Sequence, residues 1–234
     1  MGKIGDDNKS IEQSIIDLFH LGKLPGQNVE AETTLFRMQM LKYKTANHFH
    51  APVPDGKEIK LGRFNDPLCQ KKIWYGSELP LGALAEFYGR IRTVSGFGLG
   101  MVLNHSELAN ANMCEVKALR PLRLLNVKIL LAKLGFTTDQ ITNSSYSLTT
   151  EITRIVSRLP GNPFDGIAYE SRHWPDGRYC YALWIDDGED PLVSEGSLQA
   201  VSDYVYRGEL SAPYEDEDIS AEEMLTEIMN YLVV

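Results

Sequence analysis

Two strand-like segments joined by a turn place the strongest constraint on the fold. Asp165 to Ser171 (DGIAYES) and Arg178 to Ile185 (RYCYALWI) flank the turn residues Pro175-Asp176-Gly177, an arrangement that predicts a hairpin-like pair. The pairing brings Ser171 to a strand end, where ligands often meet a sheet. Around this pair, strand-like and helix-like segments follow one another in mixed order, with no internal repeat and no low-complexity boundary. That order points to an α+β domain. At 234 residues and 43% hydrophobic, the chain is long enough for one well-buried core, and its length does not require a second domain.

Ser10 to Leu21 (SIEQSIIDLFHL) sets Ile11, Ile15, Ile16, Leu18 and Phe19 largely along one helical side. This predicts a short amphipathic helix docked on the core and ended by Gly22 and Pro25. Thr33 to Leu41 (TTLFRMQML) reads as a first strand carrying Arg37. Lys42 to Asp66, with Pro52, Pro54, Asp55-Gly56 and Gly62, reads mostly as loop. Lys72 to Gly76 (KIWYG) reads as a strand with Tyr75 near its end. Pro80 to Ile91 (PLGALAEFYGRI) reads as a helix with proline in the first turn, where a missing N–H costs little. Glu86 then lies about two turns into that helix. Cys114 to Ile129 contains the β-like run LRLLNVKI, followed by a short helix around Leu130 to Leu134. Leu148 to Leu159 (LTTEITRIVSRL) has helical spacing and closes at Pro160-Gly161. Ser220 to Leu232 opens on a capping box, Ser220 with Glu223, and predicts a last helix whose Met224, Leu225, Ile228 and Leu232 pack on the core.

A formal net charge of -9 argues against broad binding to nucleic-acid phosphates or anionic lipid, both of which favour a basic face. The three cysteines, Cys69, Cys114 and Cys180, are far apart and form no CxxC pair, so neither a disulfide framework nor a zinc knuckle is expected. His20, His48, His50, His105 and His173 form no HExxH motif, and no metal site is expected. The Gly96-Phe97-Gly98-Leu99-Gly100 stretch lacks the spacing and the preceding strand of a dinucleotide fingerprint. There is no G-x-S-x-G elbow and no phosphate-binding P-loop. The opening MGKIGDDNKS has no apolar h-region, and no stretch approaches the roughly 20 apolar residues of a membrane span. A reducing, cytoplasmic setting is the simplest expectation.

The densest cluster of chemistry-bearing residues is LGRFNDP, then IWYGSE, then ALAEFYGR, which gathers Arg63, Tyr75, Glu86 and Arg90 within a short span. By composition alone these are ordinary surface charges beside core aromatics. Taken in order, however, LFRMQ, LGRFNDP, IWYGSE, ALAEFYGR, LRLLNV and DGIAYESR resemble the successive blocks of the RES family, named for its Arg, Glu and Ser. The resemblance covers roughly residues 33 to 185. It implies a fold like that of the ADP-ribosyltransferase toxins, with central mixed or antiparallel sheets flanked by helices. On this basis residues 1–32 form an N-terminal helical extension packed on the core, 33–192 the RES domain, and 193–234 a C-terminal extension ending in a helix. Two departures stand out: Phe64 where Trp is usual after GR, and Asn126 where the LRLLNV block more often ends in Asp.

The resemblance implies an NAD-degrading toxin that cleaves the nicotinamide–ribose bond as a glycohydrolase or phosphorylase, with NAD as substrate and no metal. Alternatives are transfer of ADP-ribose to a protein and a non-catalytic module that binds NAD or a partner. The matching positions are Arg37 in LFRMQ, Arg63 in GRFN, Tyr75 in IWYG, Glu86 in ALAEF and Ser171 in YESR. Bond cleavage builds oxocarbenium character on the ribose, and a carboxylate that holds the 2′-hydroxyl stabilises it, a role for Glu86. Arg37 and Arg63 suit the pyrophosphate, because a guanidinium fork matches phosphate oxygens. Tyr75 offers its ring to the nicotinamide, and Ser171 a hydrogen bond to a phosphate or ribose oxygen. Implied partners are an antitoxin or immunity protein, or a second copy of the chain, with action in the cytoplasm of the producing cell or of a target cell.

Overall fold

A computed structural model of the protein describes residues 10–50, 61–89, 102–136, 146–174, 176–210, 214 and 218–234. Arg90, Ile91 and the glycine-rich stretch 96–100 lie outside the described residues. The architecture is α+β, built on an eight-stranded mixed sheet. In chain order its strands are β1 (Gly26–Val29), β2 (Thr34–Met40), β3 (Lys72–Ser77), β5 (Ala111–Lys117), β6 (Leu122–Asn126), β7 (Gly166–Glu170), β8 (Tyr179–Ile185) and β9 (Ser197–Ala200), a two-residue β4 (Val102–Leu103) and the short helix α3 (His105–Ala109) lying outside it. Across the sheet they run β1-β6-β7-β8-β3-β2-β5-β9. Within this sheet only β6 and β7 pair in parallel.

The expected hairpin forms, with Tyr169 opposite Cys180 and Glu170 opposite Tyr179, and Ser171 follows its first strand. The sheet has a weak point at β2 and β3, which pair at one register position, Phe36 with Ser77. Elsewhere β2 is laddered to β5 along its whole length, and β3 to β8 along its own. The sheet is thus two well-knit halves that meet at a single pair and then part.

Side-chain alternation sorts the core onto the two faces. Ile73 and Tyr75 share a face with Ala182, Ile167 and Tyr169, and Trp74 points to the other with Leu183, Leu35 and Cys114. Helix α1 (Ile11–His20) packs on the first face through Ile15, which is fully buried. Its N-cap Ser10 accepts from the Gln13 N–H at 3.1 Å. Helix α5 (Ser147–Val156) lies beside it, and Arg154 joins the two by pairing with Glu12 and Glu151, each at 2.7 Å. Helix α2 (Pro80–Tyr88) covers the line where β2 and β3 part, burying Leu81, Leu84 and Ala85 against Phe36 and Met38.

Three sequence expectations change. β1 was not foreseen: Gly26–Val29 extends the chain that follows α1 into the sheet as an edge strand on β6. The run LRLLNVKI is not one strand, because β6 ends at Asn126 and helix α4 (Val127–Lys133) starts at once. The Asn126 side chain accepts from the Ile129 N–H at 3.1 Å and caps that helix, overriding the β-branched Val127 and Ile129. The last helix is short. Its capping box at Ser220 and Glu223 forms as expected, but the helix passes into a π turn, Met224–Ile228, and ends before Asn230, which takes a positive φ of 57°. Leu232–Val233 then pairs in parallel with Val102–Leu103, leaving Leu232 exposed while Met224 and Leu225 are buried. Among the described residues no helix is long and apolar enough to cross a membrane.

Candidate active site

Where β2 and β3 separate, the gap between them opens into a cavity of about 400 Å³, within the roughly 300–1,000 Å³ span of small-molecule sites. Arg37, Arg63, Tyr75 and Glu86 all line it. The opening explains how they meet. Arg37 belongs to the Trp74 face of the sheet and Tyr75 to the opposite face, so in a continuous sheet the two would be hidden from each other. Because the ladder stops at Phe36 and Ser77, both reach the same space.

Arg37 is held from behind. Its Nη1 donates to the His48 carbonyl at 2.7 Å, and its guanidinium stands 5.7 Å from the Trp74 ring centroid. Burial lowers its pKa from the usual value, while Cys114 and Tyr43 act in the opposite sense. Nearby, burial and then the positive Arg37 lower the pKa of His48, with His50 and Lys72 adding to the effect.

Arg63 and Tyr75 are organised by one loop. The Tyr75 hydroxyl donates to Asn65 Oδ1 at 2.8 Å and accepts from the Phe64 N–H at 3.0 Å. A side chain at Gly62 would put its Cβ 2.5 Å from Asn65 Oδ1 and 3.0 Å from the Tyr75 hydroxyl, so this close approach requires glycine. Asp66 anchors the far end of the loop. Fully buried, it accepts from the backbone of Leu68, Gln70 and Lys71 and from Arg158 Nη2 at 2.7 Å. Burial pushes the Asp66 carboxyl up, but the Arg158 and backbone hydrogen bonds outweigh it and hold the group below the ordinary range. Arg63 is itself largely buried, 6.0 Å from the Tyr146 ring centroid, and its guanidinium makes no ion pair among the described residues. Phe64 fills the place of the usual Trp as a fully buried ring 4.7 Å from Tyr169.

Glu86 comes from α2. Gly82, one turn earlier on the same side of that helix, rests on the sheet: a Cβ there would lie 3.0 Å from Ser77 Cβ and 3.4 Å from Cys180 Sγ. This low seating brings Glu86 over the end of β7, where Ser171 Oγ donates to Glu86 Oε1 at 2.7 Å. The same Ser171 oxygen accepts from the N–H groups of His173 and Trp174 at 3.1 and 3.3 Å. Ser171 is 3% exposed, and its proton is committed to the carboxylate. It therefore orients Glu86 and does not point its proton into the cavity.

The structure thus brings all five sequence-identified residues into one assembly, four on the cavity wall and Ser171 behind Glu86. It adds Asn65, which sequence reasoning passed over within GRFN, and Tyr169, which also lines the cavity. Tyr169 stands two residues before Ser171 on a strand, and period-two alternation places it on the inner face with Tyr75. Asn126, the other departure, caps α4 and donates from Nδ2 to the Tyr179 hydroxyl at 2.9 Å. No group of three or more His, Cys, Asp or Glu side chains among the described residues is gathered to hold a metal ion.

The fold is thus an α+β domain with its sheet split by an arginine-lined cleft and with a carboxylate fixed at the cleft wall. The RES domain model matches residues 34–202, well over half of the sequence, and the chain belongs to the RES-domain family. The match begins at β2 and runs through β9. Comparison with curated proteins and with solved structures gives no match.

Proposed function

We propose that this protein breaks the N-glycosidic bond between nicotinamide and ribose in NAD, releasing nicotinamide and passing the ribosyl group to water or inorganic phosphate. The observation that carries the reading is Glu86, held by Ser171 at 2.7 Å in a cavity shared with Arg37, Arg63 and Tyr75. As the bond lengthens, positive charge grows on the ribose C1′ and its ring oxygen. A carboxylate already fixed in place stabilises that charge without reorganising. The free energy of holding Glu86 is met in folding, by the Ser171 hydroxyl and the two N–H groups behind it.

Arg37 and Arg63 approach from different elements and receive the two phosphates of the substrate. Arg37 does so from a fixed position, because the His48 carbonyl holds one edge of its guanidinium. Tyr75 is tethered at its hydroxyl by Asn65 and Phe64, which leaves its ring as a rigid surface for the nicotinamide. Depletion of NAD by such an enzyme accounts for action as a toxin.

The test is incubation with NAD, with and without phosphate, and identification of the products by mass spectrometry. Nicotinamide with ADP-ribose marks hydrolysis, and nicotinamide with ADP-ribose-1″-phosphate marks phosphorolysis. Glu86→Gln removes the charge while keeping an acceptor for Ser171, and is expected to lower turnover by at least 100-fold. Intact NAD after long incubation with the unaltered protein would refute the proposal.

A further inference from the structure

The cavity wall holds one polar group that the roles above do not use. Tyr169 is 4% exposed and lines the cavity, and no hydrogen bond of its hydroxyl is made among the described residues. Its place is fixed by covalent and packing geometry. The residue sits in the β7 ladder opposite Cys180, and its ring lies 4.7 Å from Phe64. A phenol held in place by packing on a cavity wall keeps its hydroxyl available to a ligand bound there.

The neighbouring donors are already engaged. The Ser171 proton goes to Glu86, and the Tyr75 proton goes to Asn65. Arg63 is cationic and suits a phosphate. The group left to serve a neutral oxygen is the Tyr169 hydroxyl. Glu86 is the strongest negative influence on it. Burial first, and Glu86 next, push its pKa far above the usual tyrosine range, which keeps the proton on the phenol.

We propose that Tyr169 and Glu86 together bracket the 2′-hydroxyl of the nicotinamide ribose, an assignment that rests on the NAD-cleaving reading above. A hydroxyl both donates and accepts. Its proton goes to the free oxygen of Glu86, and its oxygen accepts from Tyr169. A carboxylate alone satisfies half of this chemistry. With the phenol added, the site distinguishes a ribose from a 2′-deoxyribose, because the deoxy ligand leaves the phenol unmatched and Glu86 with its Ser171 bond alone.

The experiment compares the unaltered protein with Tyr169→Phe, which removes one oxygen and keeps the ring. Expected is a fall of about tenfold in kcat/KM for NAD, with the melting temperature unchanged or slightly raised, since the hydroxyl makes no hydrogen bond among the described residues. The fall should disappear with the NAD analogue lacking the 2′-hydroxyl on the nicotinamide ribose. Equal kcat/KM for the two proteins on NAD overturns the proposal, as does the same fall on the deoxy analogue. A clear drop in melting temperature overturns it too, by assigning Tyr169 a structural role. If the unaltered protein releases no nicotinamide, the NAD-cleaving reading has failed, and calorimetry with ADP-ribose then decides for Tyr169. Binding weakened about tenfold by Tyr169→Phe supports the bracket, while equal affinity, or no binding to the unaltered protein, overturns it.

Discussion

Replacing Ser171 by alanine removes one oxygen that serves three groups: it donates to Glu86 and accepts from the N–H groups of His173 and Trp174. Each neutral bond contributes about 1 kcal/mol net, and the bond to a carboxylate about 1.5–3 kcal/mol. Ser171 itself is nearly closed to water, 3% exposed, so solvent replaces little of this. The expected loss of stability is about 3.5–5 kcal/mol, or a fall of roughly 7–20 °C in melting temperature for a chain of this size. Function should suffer more than stability. Freed from its tether, the Glu86 carboxylate need shift by only about 1 Å to lose on the order of 100-fold in rate. The assay is nicotinamide release beside a thermal melt, with Glu86→Gln as the companion variant: it should lose activity while melting near the unaltered protein, because its amide oxygen still accepts from Ser171. A Ser171→Ala protein that melts and turns over as the unaltered one does would refute the reasoning.

Two further outcomes follow from anchors around the cavity. Asp66→Asn should cost about 2–3 kcal/mol at neutral pH, since it breaks the buried bond to Arg158. The folded-state pKa of Asp66 lies below its unfolded value, so its contribution is full above about pH 4 and is lost as pH falls through the folded pKa. Denaturant titrations at several pH values should show the gap between the two proteins closing in acid. Asn126→Ala should cost about 1–2 kcal/mol through loss of the α4 cap, measured by chemical denaturation. Asn126→Asp should cost less, because it keeps the capping acceptor.

Much of the site was legible because its carriers are locally encoded. KIWYG alternates as a strand, PLGALAEFYG is helical with proline at its start, and the two are close in sequence, so Tyr75 and Glu86 were placed on the right elements. The alliance of Ser171 with Glu86 spans 85 residues, and no local pattern encodes it. GQNV has no apolar alternation and becomes a strand through its partner β6. LRLLNVKI looks like one strand because Val127 and Ile129 are β-branched, yet one side-chain amide decides where the helix begins. The end of the chain was read as helix on its apolar spacing, but a positive φ at Asn230 and pairing with a distant strand take precedence. Tyr169 is visible as a strand residue, but its place on the cavity wall is a property of three-dimensional packing alone.

The single register contact between β2 and β3 has a mechanical consequence. Each half of the sheet is stiffened by its own ladders, and across the seam backbone pairing gives way to Phe36 with Ser77, the helix laid over both, and the packing of Leu35 and Cys114 with Trp74. Arg37 belongs to one half and Tyr75 to the other. A ligand that grips both acts as a rivet across the seam, supplying cohesion where backbone pairing stops. Its binding energy is then felt as resistance to parting of the two halves, and on the proposed function the residues that grip substrate are the same ones through which substrate would hold the protein together.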